Sequence, residues 1–217
     1  MNSRESILAR IRANLGKPSG EPNQQEIMAV LEYLNSHPSG PRPHGEWTDL
    51  TERFKARAKA LGSTVDEVVS MAEVPNAIHR YLEANALPKS GICWPEFAEL
   101  TWQDAGITLA VRSVENKDMI GITGTFCAIA ETGTLMLLSG AATPAATSLL
   151  PETHIAILDA TRICKGMEDA WNLLREEKGK VPRSVNFISG PSRTADIEQT
   201  IVIGAHGPFR VHVIVVS

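Results

Sequence analysis

The sequence contains few cysteines. Only Cys93, Cys127 and Cys164 occur among its 217 residues, and they are separated by 34 and 37 positions. This spacing excludes a Cys-x-x-Cys motif, a zinc ribbon and a four-thiolate iron–sulfur cluster held by this chain alone, and it argues against a disulfide framework. We therefore expect three thiols that fill the core, and neither a metal nor a cofactor.

Long apolar runs are also absent. The longest comprise five residues each, Ile27–Leu31 and Phe126–Ala130, whereas a membrane span needs about 20. Arg4, Glu5 and Arg10 occupy the region where a signal peptide would be apolar. The sequence therefore predicts a cytoplasmic protein without a membrane span.

Basic clusters and the common cofactor motifs are missing too. The chain has 21 basic and 25 acidic side chains, a net charge of −4, and nucleic-acid binding needs clustered Lys and Arg. It contains no Walker loop, Gly-x-Gly-x-x-Gly fingerprint, Gly-x-Ser-x-Gly elbow or His-Glu-x-x-His site. Nucleic acid is not an expected partner, and enzymes built on those motifs are disfavoured.

The first 46 residues have the composition of an arm. Ile7, Ile11 and Leu15 recur at helical spacing and predict an amphipathic helix over residues 3–15. Residues 16–46 then contain five prolines and four glycines around one further helix near Gln24–Leu34. A helix this short is marginal in water, so its apolar stripe must dock either on its own domain or on a partner chain.

Residues 47–217 predict one α/β domain. Helical patterns cover Leu50–Leu61, a segment opened by Pro75, and Met167–Glu177. Short apolar segments typical of strands lie at Gly91–Trp94, Ile107–Val111, Thr134–Leu138, His154–Leu158, Val185–Ile188 and Val211–Val216. Strands of this length separated by helices indicate a mostly parallel sheet flanked by helices.

Glu131 is the single charged side chain in the 33 residues from Met119 to Pro151. If this segment threads the core, the carboxylate needs a compensating partner, which makes it a candidate functional group. Thr132 and Thr134 can donate hydroxyl hydrogen bonds, and Gly133 allows a ligand or a tight turn to approach the backbone. The alternative is a solvated surface turn; if Phe126–Ala130 ends a helix, Glu131 lies where the next strand begins.

A second candidate is the loop from Ile188 to Glu198, where an apolar strand ends at Gly190 and a helix is expected to begin. Free backbone N–H groups, the hydroxyls of Ser192 and Thr194, and the Arg193 guanidinium are suited to an anion. The alternative is ordinary helix capping by Ser192 or Thr194, with Asp196 favoured by the helix dipole.

A third candidate is His206, in the turn Gly204-Ala-His-Gly-Pro208. Its glycines and proline mark a tight bend. A histidine there can act as an acid–base group near neutral pH, or it can be structural.

Taken together, four motifs resemble the LUD domain of the lactate utilization protein C family. They are Ala128-Ile-Ala-Glu-Thr-Gly-Thr-Leu135, Ser148-Leu-Leu-Pro-Glu-Thr-His-Ile155, Ser189-Gly-Pro-Ser-Arg-Thr-Ala-Asp-Ile-Glu198 and Gly204-Ala-His-Gly-Pro208. The opening Ser3–Arg12 is similar to the first helix of that family, so the resemblance spans nearly the whole chain.

The resemblance implies an α/β fold related to phosphosugar isomerases and coenzyme A transferases. It also implies a part in the bacterial oxidation of L-lactate to pyruvate, beside iron–sulfur partner proteins. Members of the family often have a basic residue before the Ser-Leu-Leu-Pro segment, where this chain has Ala141–Thr147. If that residue binds an anion in relatives, the charge must come here from elsewhere, for example Arg193 or Arg112.

The leading hypothesis is a component of a lactate-oxidising system that binds a small anionic metabolite. Glu131 and His206 are the candidate catalytic residues. The candidate ligand-binding residues are Thr132, Gly133, Thr134, Gly190, Ser192, Arg193, Thr194 and Asp196. The alternatives are a non-catalytic assembly subunit of that system, suggested by the arm, and a free-standing acyl-coenzyme A or sugar-phosphate enzyme, suggested by the fold relationship alone.

Overall fold

A computed structural model describes residues 3–17, 21–41, 45–194, 202–204 and 206–217. Two compact units divide the chain, Met1–His44 and Gly45–Ser217. No helix among the described residues is long and apolar enough to cross a membrane.

The first unit contains two helices, α1 (Ser3–Asn14) and α2 (Gln24–Ser36). The α2 helix starts with a capping box, in which the Glu26 N–H donates to the Asn23 side chain and the Asn23 N–H donates to the Glu26 carboxylate. Neither helix has a buried residue. Exposed large apolar side chains are Ile7, Leu8, Ile11, Leu15, Ile27, Met28, Val30, Leu31, Tyr33 and Leu34.

The second unit is built on a six-stranded sheet in the order β1-β12-β7-β4-β2-β3, with every described strand pair parallel. Its strands are β1 (Thr64–Val68), β2 (Ser90–Cys93), β3 (Thr108–Ala110), β4 (Ile120–Gly124), β7 (Thr153–Asp159) and β12 (Arg210–Val216). Their inward side chains are branched aliphatics such as Ile122, Ile155 and Val213, which are 0–1% exposed. The expected mostly parallel α/β sheet is confirmed.

A smaller four-stranded sheet has the order β8-β5-β6-β9. It contains β5 (Cys127–Ile129), β6 (Thr134–Leu138), β8 (Ile163–Cys164) and β9 (Val185–Ile188). Strands β5 and β6 form an antiparallel hairpin whose residues are almost wholly buried. The suggestion that Phe126–Ala130 ends a helix is therefore wrong, because most of this segment is a buried strand.

Helices complete the second unit: α3 (Leu50–Ala60), α4 (Val74–Ala84), the single-turn α5 (Ala146–Leu149) and α6 (Met167–Lys178). The strands β10 (Arg193–Thr194) and β11 (Val202–Ile203) pair separately in an antiparallel ribbon. The helices predicted at Leu50–Leu61, from Pro75 and over Met167–Glu177 are confirmed to within one residue at each predicted end. The C-terminal end of α4 was not predicted.

Two of the three cysteines fill the core as expected. Cys93 and Cys127 are 3% and 0% exposed, whereas Cys164 is half-buried. Burial raises the pKa of the Cys93 thiol to about 11, so it is protonated at neutral pH.

Two buried histidines lie in the main sheet. His154 on β7 contacts the Thr123 hydroxyl on β4 through Nε2 at 2.8 Å, and His212 on β12 stacks on Tyr81. Desolvation lowers the pKa of His154 to about 3 and that of His212 to about 4. Both rings are therefore neutral members of the fold at physiological pH.

Candidate functional site

Glu131 lies in the turn of the β5–β6 hairpin. Its N–H donates to the Lys165 carbonyl at 3.1 Å, and its side chain is half-buried. One carboxylate oxygen lies beside Gly166, where α6 begins. Because a helix N-terminus carries a partial positive charge, this position favours the carboxylate without any ligand. The environment of Glu131 is thus intermediate between the two sequence interpretations, a cleft carboxylate and a solvated turn.

The turn is fixed against helix α3 by Gly133. A side chain at position 133 would collide with the backbone of Arg57 and Ala58, and the φ angle of +69° also favours glycine. Gly190 approaches the same helix at Leu61, again with a positive φ of +85°. The two loops that the sequence singled out therefore meet on one helix.

A chain of hydroxyl groups links those two loops. Thr132 Oγ1 lies 2.8 Å from Thr134 Oγ1, which lies 2.7 Å from Ser189 Oγ. Two hydrogen bonds among three hydroxyls use two of the three hydrogens, so one remains to donate to another group.

The loop after Gly190 differs from its prediction. Arg193 and Thr194 form a short strand with Ile203 and Val202, so the helix expected to start here does not include them. Arg193 donates to the Leu61 carbonyl at 2.8 Å, just past the end of α3, where a cation complements the helix dipole. Asp196 lies outside the described residues.

His206 lies at a different opening. It lines a 610 Å³ cavity with Glu152, Phe209 and Arg210, while Glu131 and Arg193 do not line it. Its turn contacts the Gly190 loop through Ser192, whose N–H donates to the Pro208 carbonyl and whose carbonyl accepts from Gly204. The described structure does not bring His206 and Glu131 into one cavity.

Arg112, the other suggested source of positive charge, is already paired. Its two terminal nitrogens bind the Asp118 carboxylate at 2.6 and 2.7 Å. This bidentate pair lowers the pKa of Asp118 and leaves Arg112 committed to its own loop.

A further cleft, which the sequence did not reveal, opens at the carboxyl ends of β2 and β4. These strands are neighbours in the six-stranded sheet. The strand of this sheet that follows β2 in the chain is β3, on one side of the pair, and the one that follows β4 is β7, on the other side. Such a topological switch point is where open α/β sheets usually bind ligands. We call this opening the switch-point cleft; its volume is 410 Å³, and its wall includes Trp94, Glu96, Thr125 and Phe126.

Glu96 is the acidic group of the switch-point cleft. Its carboxyl lies over Gly124, the last residue of β4, where any side chain would collide with it. Glu96 is an exposed residue, but partial withdrawal of its carboxyl from water raises its pKa. It forms no hydrogen bond or ion pair with other described residues. An unpaired carboxyl with raised proton affinity in a cleft is a candidate functional group.

Lys178 and Lys180, at and just beyond the end of α6, supply the positive charge of the switch-point cleft. Both side chains are exposed and have no ion pair in the described part of the chain. Two neighbouring hydroxyls already donate, Thr125 to the Ile157 carbonyl and Thr143 to the Leu138 carbonyl, while the Ser139 hydroxyl accepts from the Ser184 N–H. The two ammonium groups and the Glu96 carboxyl are therefore the charged groups left for a ligand.

Sequence reasoning missed this cleft for a physical reason. Glu96 and the two lysines lie 82 and 84 positions apart in ordinary charged surroundings, and only the strand order brings them together. The one available signal was the end of a single strand, since Gly91–Trp94 was predicted as a strand and Ile120–Gly124 was not.

Comparisons with known proteins agree with this fold. The LUD domain family model matches residues 51–216. A lactate utilization protein C of Shouchella clausii is 39% identical, covering 100% of this chain and 99% of its own length. An uncharacterized protein of Neisseria meningitidis serogroup B is 30% identical over 96% of this chain and 91% of that protein.

A solved structure supports the same conclusion. A DUF162 family protein of Deinococcus radiodurans aligns with a TM-score of 0.60 and 25% identity, covering 77% of this chain and 96% of that one. With the family model spanning most of the chain and a full-length relative at 39% identity, this protein belongs to the LUD domain family.

Proposed function

We propose that this protein is a component of lactate utilization and binds a small carboxylate in the switch-point cleft. The role comes from the names of its full-length relatives. The observation that carries the binding site is the unpaired Glu96 carboxyl facing the same cleft as two unpaired ammonium groups.

This arrangement is complementary to a 2-hydroxy acid. The ammonium groups of Lys178 and Lys180 attract the ligand carboxylate, and the Glu96 carboxylate accepts a hydrogen bond from its hydroxyl. Trp94 and Phe126 supply an apolar wall for the carbon chain. A volume of 410 Å³ lies within the range of about 300–1,000 Å³ usual for small-molecule sites.

Oxidation of L-lactate to pyruvate beside iron–sulfur partner proteins forms part of the same proposal. Two hydrogens with two electrons must leave the lactate carbon and oxygen. Cys93 is buried and protonated and is not suited to carry electrons, so the two electrons and the carbon-bound hydrogen, as a proton, pass to the iron–sulfur partner proteins. Glu96, with its raised pKa, is placed to take the hydroxyl proton. The cytoplasmic location stays a prediction.

Calorimetric titration tests the binding site. L-lactate, pyruvate and acetate are titrated into the full chain at constant ionic strength. Lys178→Gln combined with Lys180→Gln is expected to weaken lactate binding at least tenfold, whereas Lys59→Gln combined with Lys117→Gln removes the same charge elsewhere and changes it less than twofold. Equal losses in both double variants would reject the site.

A complementation assay tests the role. A host lacking its own copy of the gene is grown on L-lactate with wild type, Glu96→Gln or the neighbouring control Glu99→Gln. Growth is expected with wild type and the control and is slowed by Glu96→Gln. Normal growth of the host without any copy would reject a part in lactate utilization.

The two-helix unit favours a second candidate function, assembly with a partner protein. Its two helices carry nine large exposed apolar side chains and have no buried residue, which is more exposed apolar surface than a solvated surface usually shows. Ile27→Asp with Leu31→Asp is expected to abolish co-purification of the iron–sulfur partners and to leave lactate binding intact. Unchanged co-purification would contradict an assembly role for α2.

A further inference from the structure

Two arginines on helix α3 have no use in the proposed function. Arg53 and Arg57 are four residues apart, so they lie on the same face of the helix, and both are half-buried. Each has a buried Nε–H group that finds no acceptor among the described residues. Buried donors without a partner are rare and call for a missing partner.

The neighbourhood of these arginines is the Glu131 turn. The Arg53 guanidinium lies 4.7 Å from the centre of the Trp47 ring, and its Nη2 reaches the Glu131 backbone carbonyl only at 3.5 Å. The backbone of Arg57 packs against Gly133, and its guanidinium forms no hydrogen bond or ion pair in the described ranges. The Glu131 carboxylate lies beside Gly166 and forms no ion pair with either arginine.

The cost of this arrangement points to a ligand. Like charges four residues apart on one helix face destabilise the helix, and each buried donor without an acceptor destabilises the folded state. An oxyanion between the two guanidinium groups would remove both penalties. Arginine forks bind planar or tetrahedral oxyanions through paired N–H donors.

We propose that Arg53 and Arg57, together with the hydroxyl chain Thr132–Thr134–Ser189, form a site for a phosphate group. Phosphate is favoured over a carboxylate because the two guanidinium charges match a dianion. The spare hydroxyl hydrogen of the chain supplies a further donor.

This site does not depend on the proposed function. It lies at the turn of the β5–β6 hairpin, whereas Phe126 and Leu138, which line the switch-point cleft, lie at its open end. The phosphate can be inorganic phosphate or part of a phosphate monoester, and both sources present the same oxygens to the arginines.

Titration of the full chain with phosphate tests the proposal. Inorganic phosphate, glycerol phosphate and acetate are compared at pH 7.5 and constant ionic strength. Both phosphates are expected to bind at least tenfold more tightly than acetate. Tighter binding of glycerol phosphate identifies a monoester as the ligand, and equal binding identifies the phosphate group alone.

Substitutions on α3 separate the site from general charge. Arg57→Gln is expected to weaken phosphate binding at least tenfold, while Lys59→Gln, an equal charge loss on the same helix, changes it less than twofold. Arg57→Lys keeps the charge without the fork and is expected to lie between them, with folding checked by circular dichroism. No phosphate binding to wild type, or equal effects of Arg57→Gln and Lys59→Gln, would overturn the proposal.

Discussion

The two ends of the β5–β6 hairpin hold positive charge in different ways. At the open end, Lys178 and Lys180 are exposed at and just beyond the end of α6 and face a cleft that also contains Glu96. At the turn, Arg53 and Arg57 are half-buried on a helix, one of them stacked on Trp47. The cleft thus offers mobile point charges to a small monoanion, and the turn offers fixed guanidinium forks to an oxyanion of higher charge.

The difference between these regions is also one of packing. Gly133 presses the turn onto α3 with no room for a Cβ atom, whereas a Cβ atom at Gly140, in the wall of the cleft, would meet only the Thr143 hydroxyl. The turn therefore cannot accept a side chain at position 133, whereas the wall of the switch-point cleft can accept a small one at position 140. The following predictions test that contrast, beginning with the largest effect.

Gly133→Ala is expected to destabilise the protein by about 3–4 kcal/mol, because it adds a backbone collision to an unfavourable positive φ. The free energy of unfolding is measured with urea. Gly140→Ala serves as the control and is expected to cost less than about 1 kcal/mol. Similar losses for both would contradict the contrast in packing.

Acid is expected to weaken the strands beneath the switch-point cleft. An unfolded histidine binds a proton below about pH 6.5, but buried His154 does so only near pH 3, so stability falls as the pH drops between these values. At pH 5 the loss is about 2 kcal/mol for this histidine. Urea titrations at pH 7 and 5 measure it, and His154→Gln should remove this share; an unchanged pH dependence would contradict the assignment.

The two sites are expected to respond to separate substitutions. Arg57→Gln should leave lactate binding within twofold of wild type, and Lys178→Gln with Lys180→Gln should leave phosphate binding within twofold. Each set of substitutions is expected to weaken the binding of the ligand at its own site about tenfold, which corresponds to about 1.4 kcal/mol. Calorimetry on the same preparations measures both, and a variant that weakens both ligands equally would show that the sites are not distinct.

Glu96→Gln is expected to produce the smallest effect, a slight rise in stability at neutral pH. The raised pKa means that the folded protein favours the protonated acid, so the ionised carboxylate is a cost above the folded pKa. That cost disappears below about pH 4.3, the unfolded value, where the acid is neutral in both states. Melting temperatures of wild type and variant should therefore converge at low pH, and a constant difference at every pH would count against this cause.

The sequence predicted strands that are short segments rich in apolar side chains. Thr134–Leu138 and Val185–Ile188 were identified with the observed bounds: the first is an almost wholly buried apolar segment, and the second combines Val, Phe and Ile, which favour strands even though only Ile188 is fully buried. Strand Thr64–Val68 was missed because it carries Asp66 and Glu67, and Ile120–Gly124 because two of its residues are glycine. Such strands are specified by their neighbours in the sheet rather than by their own composition.

Much the same holds for the candidate sites. Glu131 and Gly133 could be found because a lone charge and a glycine stand out in an apolar segment. Arg53, Arg57 and Glu96 could not, since charged residues on helices and loops are usually solvated. Their significance comes from an unpaired buried donor or a strand order, which are properties of the folded chain.

The buried β5–β6 hairpin directly connects the switch-point cleft, at the open end of the hairpin, with Arg53 and Arg57, at its turn. Its strands are almost entirely enclosed, and a close-packed interior transmits strain. If a carboxylate at the cleft shifts the hairpin toward the position that phosphate prefers, thermodynamic linkage requires phosphate to raise carboxylate affinity by the same factor. One short strand pair would then let the supply of a phosphorylated compound set how readily a carboxylic acid is bound.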